Sequence, residues 1–174
     1  MNASRDRLRI AHALVAIALA MFAYRFANRE LLPFINDHGF LLSAAQDQIK
    51  AGTWASQSPI FGTQGLRYGP TPAWFYRIVQ TLFGASPEIS ILAITVTLSA
   101  AQLAFAASVT RVFRGNIATF ALVAAFIASS PYQFIWSRSA WDNTLVEIAV
   151  SLVVAILLLP HPLRTWRPTA IGLL

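Results

Sequence analysis

The sequence predicts an all-α integral membrane protein: about four transmembrane helices, a truncated fifth, and two amphipathic surface helices in a long first outer loop. Three observations carry this prediction. Of the 174 residues, 56% are hydrophobic and only 11% are charged, whereas an ordinary soluble domain is about a quarter charged. The apolar residues gather into runs of membrane-spanning length. Most of the 13 Lys and Arg stand at the ends of those runs, where they read as topology signals and headgroup anchors. A water-soluble globule and a disordered chain are thereby excluded, and the absence of cysteine excludes a disulfide-stapled scaffold. A net charge of +6 would suggest nucleic acid in a soluble protein. Here no basic patch is interleaved with soluble structure, so no nucleic-acid partner is expected.

The first span covers about residues 8–27. Its apolar core, residues 10–24, is broken only by His12, and Arg9 and Arg25 are expected to snorkel from its ends. Arg5, Arg7 and Arg9 followed by Ala18-Leu19-Ala20 also resemble a signal peptide with its cleavage site. The apolar pattern runs on past that tripeptide, which favours a retained span. The second span, about 88–110, holds an uncharged run of 22 residues, and the third, about 115–137, one of 23 residues. Arg111-Val112-Phe113-Arg114-Gly115 forms the short turn between them. The fourth, about 141–160, has Asp142 and Glu147 near its start and a purely apolar stretch from 148 to 159. After the basic loop 161–168, the residues from 168 onward read as the start of a fifth. All of 1–174 is thus one transmembrane domain. The positive-inside rule puts the N-terminus, the 111–114 turn and the 161–168 loop in the cytoplasm, and the loop 28–87 outside.

That 60-residue loop has internal pattern. Over residues 39–51, Phe40, Leu41, Ala44, Ala45 and Ile49 share one helical face; Ser43, Gln46, Asp47 and Lys50 share the other. Gly52 is placed to cap this helix. Over residues 72–83, Pro72 suits a first turn, Gly84 follows the end, and Trp74, Phe75 and Tyr76 suit the membrane interface. Both helices are expected to lie on the membrane surface. Residues 52–70 between them, including Gly62-Thr63-Gln64-Gly65, read as irregular loop.

Few residues carry candidate chemistry. Asp37 lies between the first span and the first surface helix, where it reads either as a base at the membrane boundary or as a helix cap. His38 is adjacent and either tunes Asp37 or is solvated. Arg138 follows an uncharged run; its planar fork matches phosphate oxygens, and it also suits an anchoring role. Asp142, four residues on, could pair with it. Glu147 lies deeper and is either functional or a hydrogen-bonding partner inside the bundle. The three His are scattered, and no metal-ligand, nucleophile or phosphate-loop motif occurs.

Three stretches, taken together in this order, resemble the N-terminal part of GT-C membrane glycosyltransferases, in the branch of protein mannosyltransferases and aminoarabinose transferases. Residues 36–52, beginning Asn36-Asp37-His38-Gly39-Phe40, look like the family's "D-E-x-x-Y/F…A…G" first-loop motif. Tyr68-Gly69-Pro70-Thr71-Pro72-Ala73-Trp74-Phe75-Tyr76, running on to Phe83-Gly84, is similar to its "yGhPPlyyyl…lfG" segment. Ser130-Pro131-Tyr132-Gln133-Phe134-Ile135-Trp136-Ser137-Arg138 looks like "sP-x-x-i-x-x-S-R". The sequence departs from the pattern at His38, where the family often has Glu, and over Gly69-Pro70-Thr71-Pro72, which holds no His.

The resemblance implies a transfer of sugar from a polyprenyl-phosphate donor to an acceptor at the outer membrane face. It gives Asp37 the role of general base, and Arg138, with His38, that of lining the donor phosphate site. It implies no cofactor: the lipid-phosphate sugar is a substrate, and a divalent metal is left unspecified. Its partners would be membrane lipids and the polyprenyl-phosphate sugar, in what would be a bacterial inner membrane. The family has more spans, so a C-terminal portion or a partner chain is also expected. The rival expectation is a non-catalytic multi-span protein, such as a complex subunit or truncated remnant.

Overall fold

The computed structural model describes residues 3–27, 36–56, 60–61, 66–67, 69–136 and 142–158. Its architecture is helical: α1 (Ala3–Tyr24), α2 (Asn36–Ala51), α3 (Thr71–Phe83), α4 (Pro87–Val112), α5 (Ile117–Ser129), α6 (Pro131–Trp136) and α7 (Asp142–Leu157). One two-residue pairing, β1 (Ile60–Phe61) with β2 (Leu66–Arg67), interrupts the loop between α2 and α3. It is antiparallel, with Ile60 opposite Arg67 and Phe61 opposite Leu66. The segment expected to be wholly irregular thus contains a minimal ladder. Residues 62–65 and the expected fifth span lie outside the described residues.

α4 is the longest helix and touches both hydrophobic clusters. Ser86 caps its N-terminus, its side chain accepting from the Ile89 N–H at 3.4 Å, and Pro87 takes the first turn, where no backbone donor is missed. At 26 residues it is the one described helix long and apolar enough to cross a membrane. α1, α5 and α7 contain shorter apolar helical stretches.

One cluster joins α2, α3, α4 and α7 through Leu41, Leu42, Ala45, Tyr76, Ile94, Leu98, Ala101 and Ile148. The other joins α1, α4 and α5 through Ala18, Phe22, Ala106, Ala124 and Ala128. In α5 the buried residues are Ala121, Ala124 and Ala128, a stripe of small side chains that lets the backbones approach closely. The Ala18-Leu19-Ala20 tripeptide lies inside the continuous α1, with Ala18 buried in this second cluster. Large apolar side chains are nevertheless exposed on every long helix of the bundle: Leu19, Val96, Leu122, Phe126 and Val150 are examples.

The turn after α4 falls about two residues later than expected, with α4 running to Val112 and α5 starting at Ile117. Arg114 takes a positive φ of 51°, and Asn116 opens α5 with a capping box, accepting from the N–H groups of Ala118 and Thr119 at 2.9 and 3.2 Å. Gly52 closes α2 in left-handed geometry, with φ 66°. Its N–H donates to Ile49 O and that of Thr53 to Gln48 O, both at 3.2 Å, a Schellman closure.

Three expectations are corrected. The third span is not one helix: α5 ends at Ser129 and α6 begins at Pro131. Proline lacks the N–H that would continue the ladder and pushes the residue before it out of helical geometry, and Ser130 sits at φ −63°, ψ 119°. α2 starts at Asn36 rather than 39, so Asp37 lies in its first turn rather than before it. The buried stripe of α2 is also rotated. Leu41, Leu42, Ala45 and Gln48 face the core, while Phe40 and Ile49 are exposed.

Candidate functional site

The side chains of the sequence-predicted site residues lie outside the described part of the structure. Asp37 and His38 lie in the first turn of α2, but their side-chain placement is outside what is described, as is Arg138 altogether. The pairing of Arg138 with Asp142 falls outside the described residues for the same reason.

The polar centre of the described structure lies elsewhere, where the end of α1 meets α4, α5, α6 and α7. After Tyr24 the chain tightens into i to i+3 turns: Arg25 N–H donates to Phe22 O at 3.1 Å and Phe26 N–H to Ala23 O at 3.0 Å. This tightening accompanies an inward-turned Arg25. The expected snorkelling anchor is 0% exposed. Its guanidinium stacks on Phe22, 4.5 Å from the ring centroid, and one NH group donates to Gln102 Oε1 at 2.6 Å. A second contact reaches the Ile127 carbonyl at 3.4 Å. The exposed Arg9, by contrast, is compatible with its expected place at the helix periphery.

Gln102 is the hub of this centre. Its amide nitrogen donates to Glu147 Oε1 at 2.8 Å and, by a short bond, to Gln133 Oε1. Arg25 and Glu147 are therefore linked through a neutral amide rather than in direct contact. The arrangement disperses two opposite charges through hydrogen bonds in an interior where an unpaired charge would be expensive. Glu147 takes the bundle-internal hydrogen bond that was one of its two readings. Gln102 and Gln133 are members of this polar network that sequence reasoning did not single out. A bulky amide in the middle of an uncharged run was the available signal.

A cavity of about 320 Å³ opens beside this network, lined by Gln102, Gln133, Glu147, Ser130, Ser151 and Phe126 among others. The break at Ser130 helps form it, because Ser130 and Gln133 lie on either side of the α6 start. A second, apolar groove of about 480 Å³ lies between α1 and the α5–α6 junction, lined by Ile17, Met21, Tyr24 and Pro131 among others.

The α2–α3 layer is held differently. Arg77 of α3 stacks over Trp54, 3.9 Å from the ring centroid, and donates to the Thr53 carbonyl. Trp74 Nε1 donates to Ala55 O at 2.8 Å, and Trp54 and Trp74 meet edge to face at 6.0 Å. Gln80 reaches from α3 to the Leu42 carbonyl at 3.3 Å. These contacts tie the α2–α3 connection to α3 and fix how α2, with Asp37 at its start, sits on the bundle. Among the described residues, no group of three His, Cys, Asp or Glu gathers in a way that could hold a metal ion.

No protein-family model matches the chain, and neither a curated protein nor a solved structure shows significant similarity to it.

Proposed function

We propose that the chain is a GT-C type glycosyltransferase, or the N-terminal portion of one. It transfers a sugar from a polyprenyl-phosphate donor to an acceptor hydroxyl at the outer face of a membrane. The observation that carries this reading is the position of Asp37 in the first turn of α2, the next helix after the first apolar one and the start of the paired α2–α3 layer. A carboxylate is the group a general base at the acceptor hydroxyl requires. The resemblance of residues 36–52, 68–84 and 130–138 to family motifs supports the same assignment.

In this reading α1, α4, α5–α6 and α7 are the four spans. The exposed apolar side chains on their outer surfaces support it, because such surfaces are costly in water and ordinary in lipid. The cytoplasmic turn is at Arg111–Arg114 and the α2–α3 layer is outside. The donor keeps its tail in lipid and presents its sugar at the outer interface. Asp37 takes the acceptor hydroxyl proton as that oxygen bonds to the anomeric carbon, and the sugar–phosphate bond breaks. Arg138, with His38 nearby, stabilises the departing phosphate. The remainder of the donor groove comes from a further portion of the protein or from a partner chain.

The test is Asp37→Asn in membranes supplied with radiolabelled polyprenyl-phosphate sugar. Transfer should fall by about a thousandfold, the scale of losing a positioned base, with expression unchanged. Full activity in the variant would remove Asp37 from catalysis and favour a non-catalytic multi-span protein. The placement in the membrane is tested separately. The chain has no natural cysteine, so single cysteines at Lys50 and Phe113 report cleanly. An impermeant thiol reagent added outside should label position 50 and spare 113; the reverse pattern overturns the orientation.

A further inference from the structure

The reversal between α4 and α5 is built on a fixed frame. Phe113 N–H donates to Val109 O at 3.1 Å, Arg114 N–H to Arg111 O at 3.1 Å, and Gly115 N–H to Thr110 O at 2.8 Å. Backbone donors thus close the last turn of α4, and the closure does not call on either arginine side chain. A Cβ on Gly115 would lie 2.7 Å from the Thr119 side chain, so the backbone passes α5 as closely as a glycine permits. On this frame every residue from Arg111 to Ile117 is exposed, and Phe113 is 77% exposed. Arg111 and Arg114 end a hydrogen-bonded four-residue turn, whose terminal Cα atoms lie within about 7 Å of each other. Both guanidiniums therefore reach one small group, with Val112, Phe113 and Ile117 as an apolar edge beside them.

The charge at this end of the bundle leans one way. Arg25, just after α1, meets the Ile127 carbonyl near the close of α5. The two helices therefore run in the same direction, and α1 begins beside the reversal. It brings Arg5, Arg7 and Arg9 against the single Asp6, and Arg9 is exposed. Glu88 opens α4 at its far end.

We infer that the Arg111–Arg114 turn docks the phosphodiester of an anionic phospholipid of the phosphatidylglycerol kind. This rests on the membrane placement proposed above and not on the sugar transfer. Two planar forks offer paired N–H donors to the two free oxygens of one phosphodiester. The interleaved apolar residues select an amphiphile over a soluble phosphate, because Phe113 leaves water among the glycerol and ester groups beneath the phosphate. A choline headgroup brings a cation against the guanidiniums, and a glycerol headgroup brings none.

The test places the full chain in symmetric phosphatidylcholine nanodiscs. These hold a trace of either phosphatidylglycerol or phosphatidylcholine with a diazirine beside its glycerol. Crosslinks mapped by mass spectrometry to residues 109–119 should favour the phosphatidylglycerol probe by about thirtyfold, from about fivefold per arginine. Arg111→Gln and Arg114→Gln should each lower that preference about fivefold and together abolish it, with circular dichroism showing that these surface variants fold. Arg111→Lys with Arg114→Lys keeps the charge and loses the forks, and should lower the preference at least fivefold. Full preference in that double variant would show attraction to charge alone and overturn the docking site. Competition by millimolar glycerol phosphate would hand the site to a soluble phosphate and overturn the lipid assignment. Equal yields from the two probes on the unaltered chain overturn the inference outright. Symmetric discs give the same answer whichever way the chain faces, and no transfer is needed, so the inference and the Asp37 chemistry fail separately. Absence of any crosslink from either probe would remove the membrane placement and the inference together.

Discussion

The two longest uncharged runs of the chain, residues 89–110 and 115–137, are nearly equal in length and in apolar character, yet they fold differently. The first becomes the unbroken α4 and the second divides into α5 and α6. Both involve a proline. Pro87 stands in the first turn of α4, where its missing N–H costs nothing. Pro131 stands well inside its run and stops the helix at Ser129. The consequence is a division of labour. The intact helix carries the hub residue, Gln102, while the broken one bends its backbone away and leaves room for a cavity beside Gln133. Where a proline falls relative to a helix start thus decides whether a run becomes a scaffold or a wall of a site.

The largest expected effect comes from striking the intact helix at its hub. Gln102→Leu leaves the Arg25 guanidinium and the Glu147 carboxylate without their shared partner. Breaking a buried charge network of this kind costs about 3–5 kcal/mol, which thermal or SDS-induced unfolding in detergent should register. A loss below about 1 kcal/mol would mean that water already satisfies both groups. On the broken run, Pro131→Ala should join α5 to α6, and amide exchange at residues 130–133 should slow by about tenfold as new ladder bonds form. Unchanged exchange would show that Pro131 is not what divides the run. At the start of α5, Asn116→Ala removes the capping box and should cost about 1 kcal/mol in the same unfolding measurement. The smallest effect is the control: Pro87→Ala should change stability by less than about 0.5 kcal/mol. A loss as large as that of Asn116→Ala would erase the contrast between the two prolines.

Much of the helical order was legible because it rests on local signals. Gly52 and Gly84 mark where α2 and α3 end, Pro72 sits in the first turn of α3, and the two arginines around the 111–115 turn mark the reversal. Pro131 was equally visible, but an apolar run of spanning length masks a helix break when only composition is counted. What was not legible depends on partners distant in the chain. An arginine at the end of an apolar run reads the same whether it snorkels outward or turns inward, and only Gln102, 77 positions later, draws Arg25 in. The rotation of α2 has a similar origin. Gln48 is buried because its side chain accepts from the Ala55 N–H at 3.3 Å in the turn that follows, so a polar residue takes a place on the inner face. Asp37 was singled out by its position and by resemblance; the seam at Gln102 needed the packing of five helices.

The serines and threonines of α4 have a consequence for how the molecule is assembled. Ser90, Thr95, Thr97 and Thr110 each donate to the carbonyl four residues earlier, at 2.7 to 3.3 Å. Such hydroxyls satisfy themselves in part within their own helix. On the membrane reading proposed above, α4 could enter lipid with few polar debts, and Gln102 is the bulky polar side chain near its middle that bonds instead to other elements. A lone amide of that kind acts as an address, drawing in Arg25, Gln133 and Glu147 as their helices arrive. The same side chain that organises the finished interior would then be the one that sets the order in which it is built.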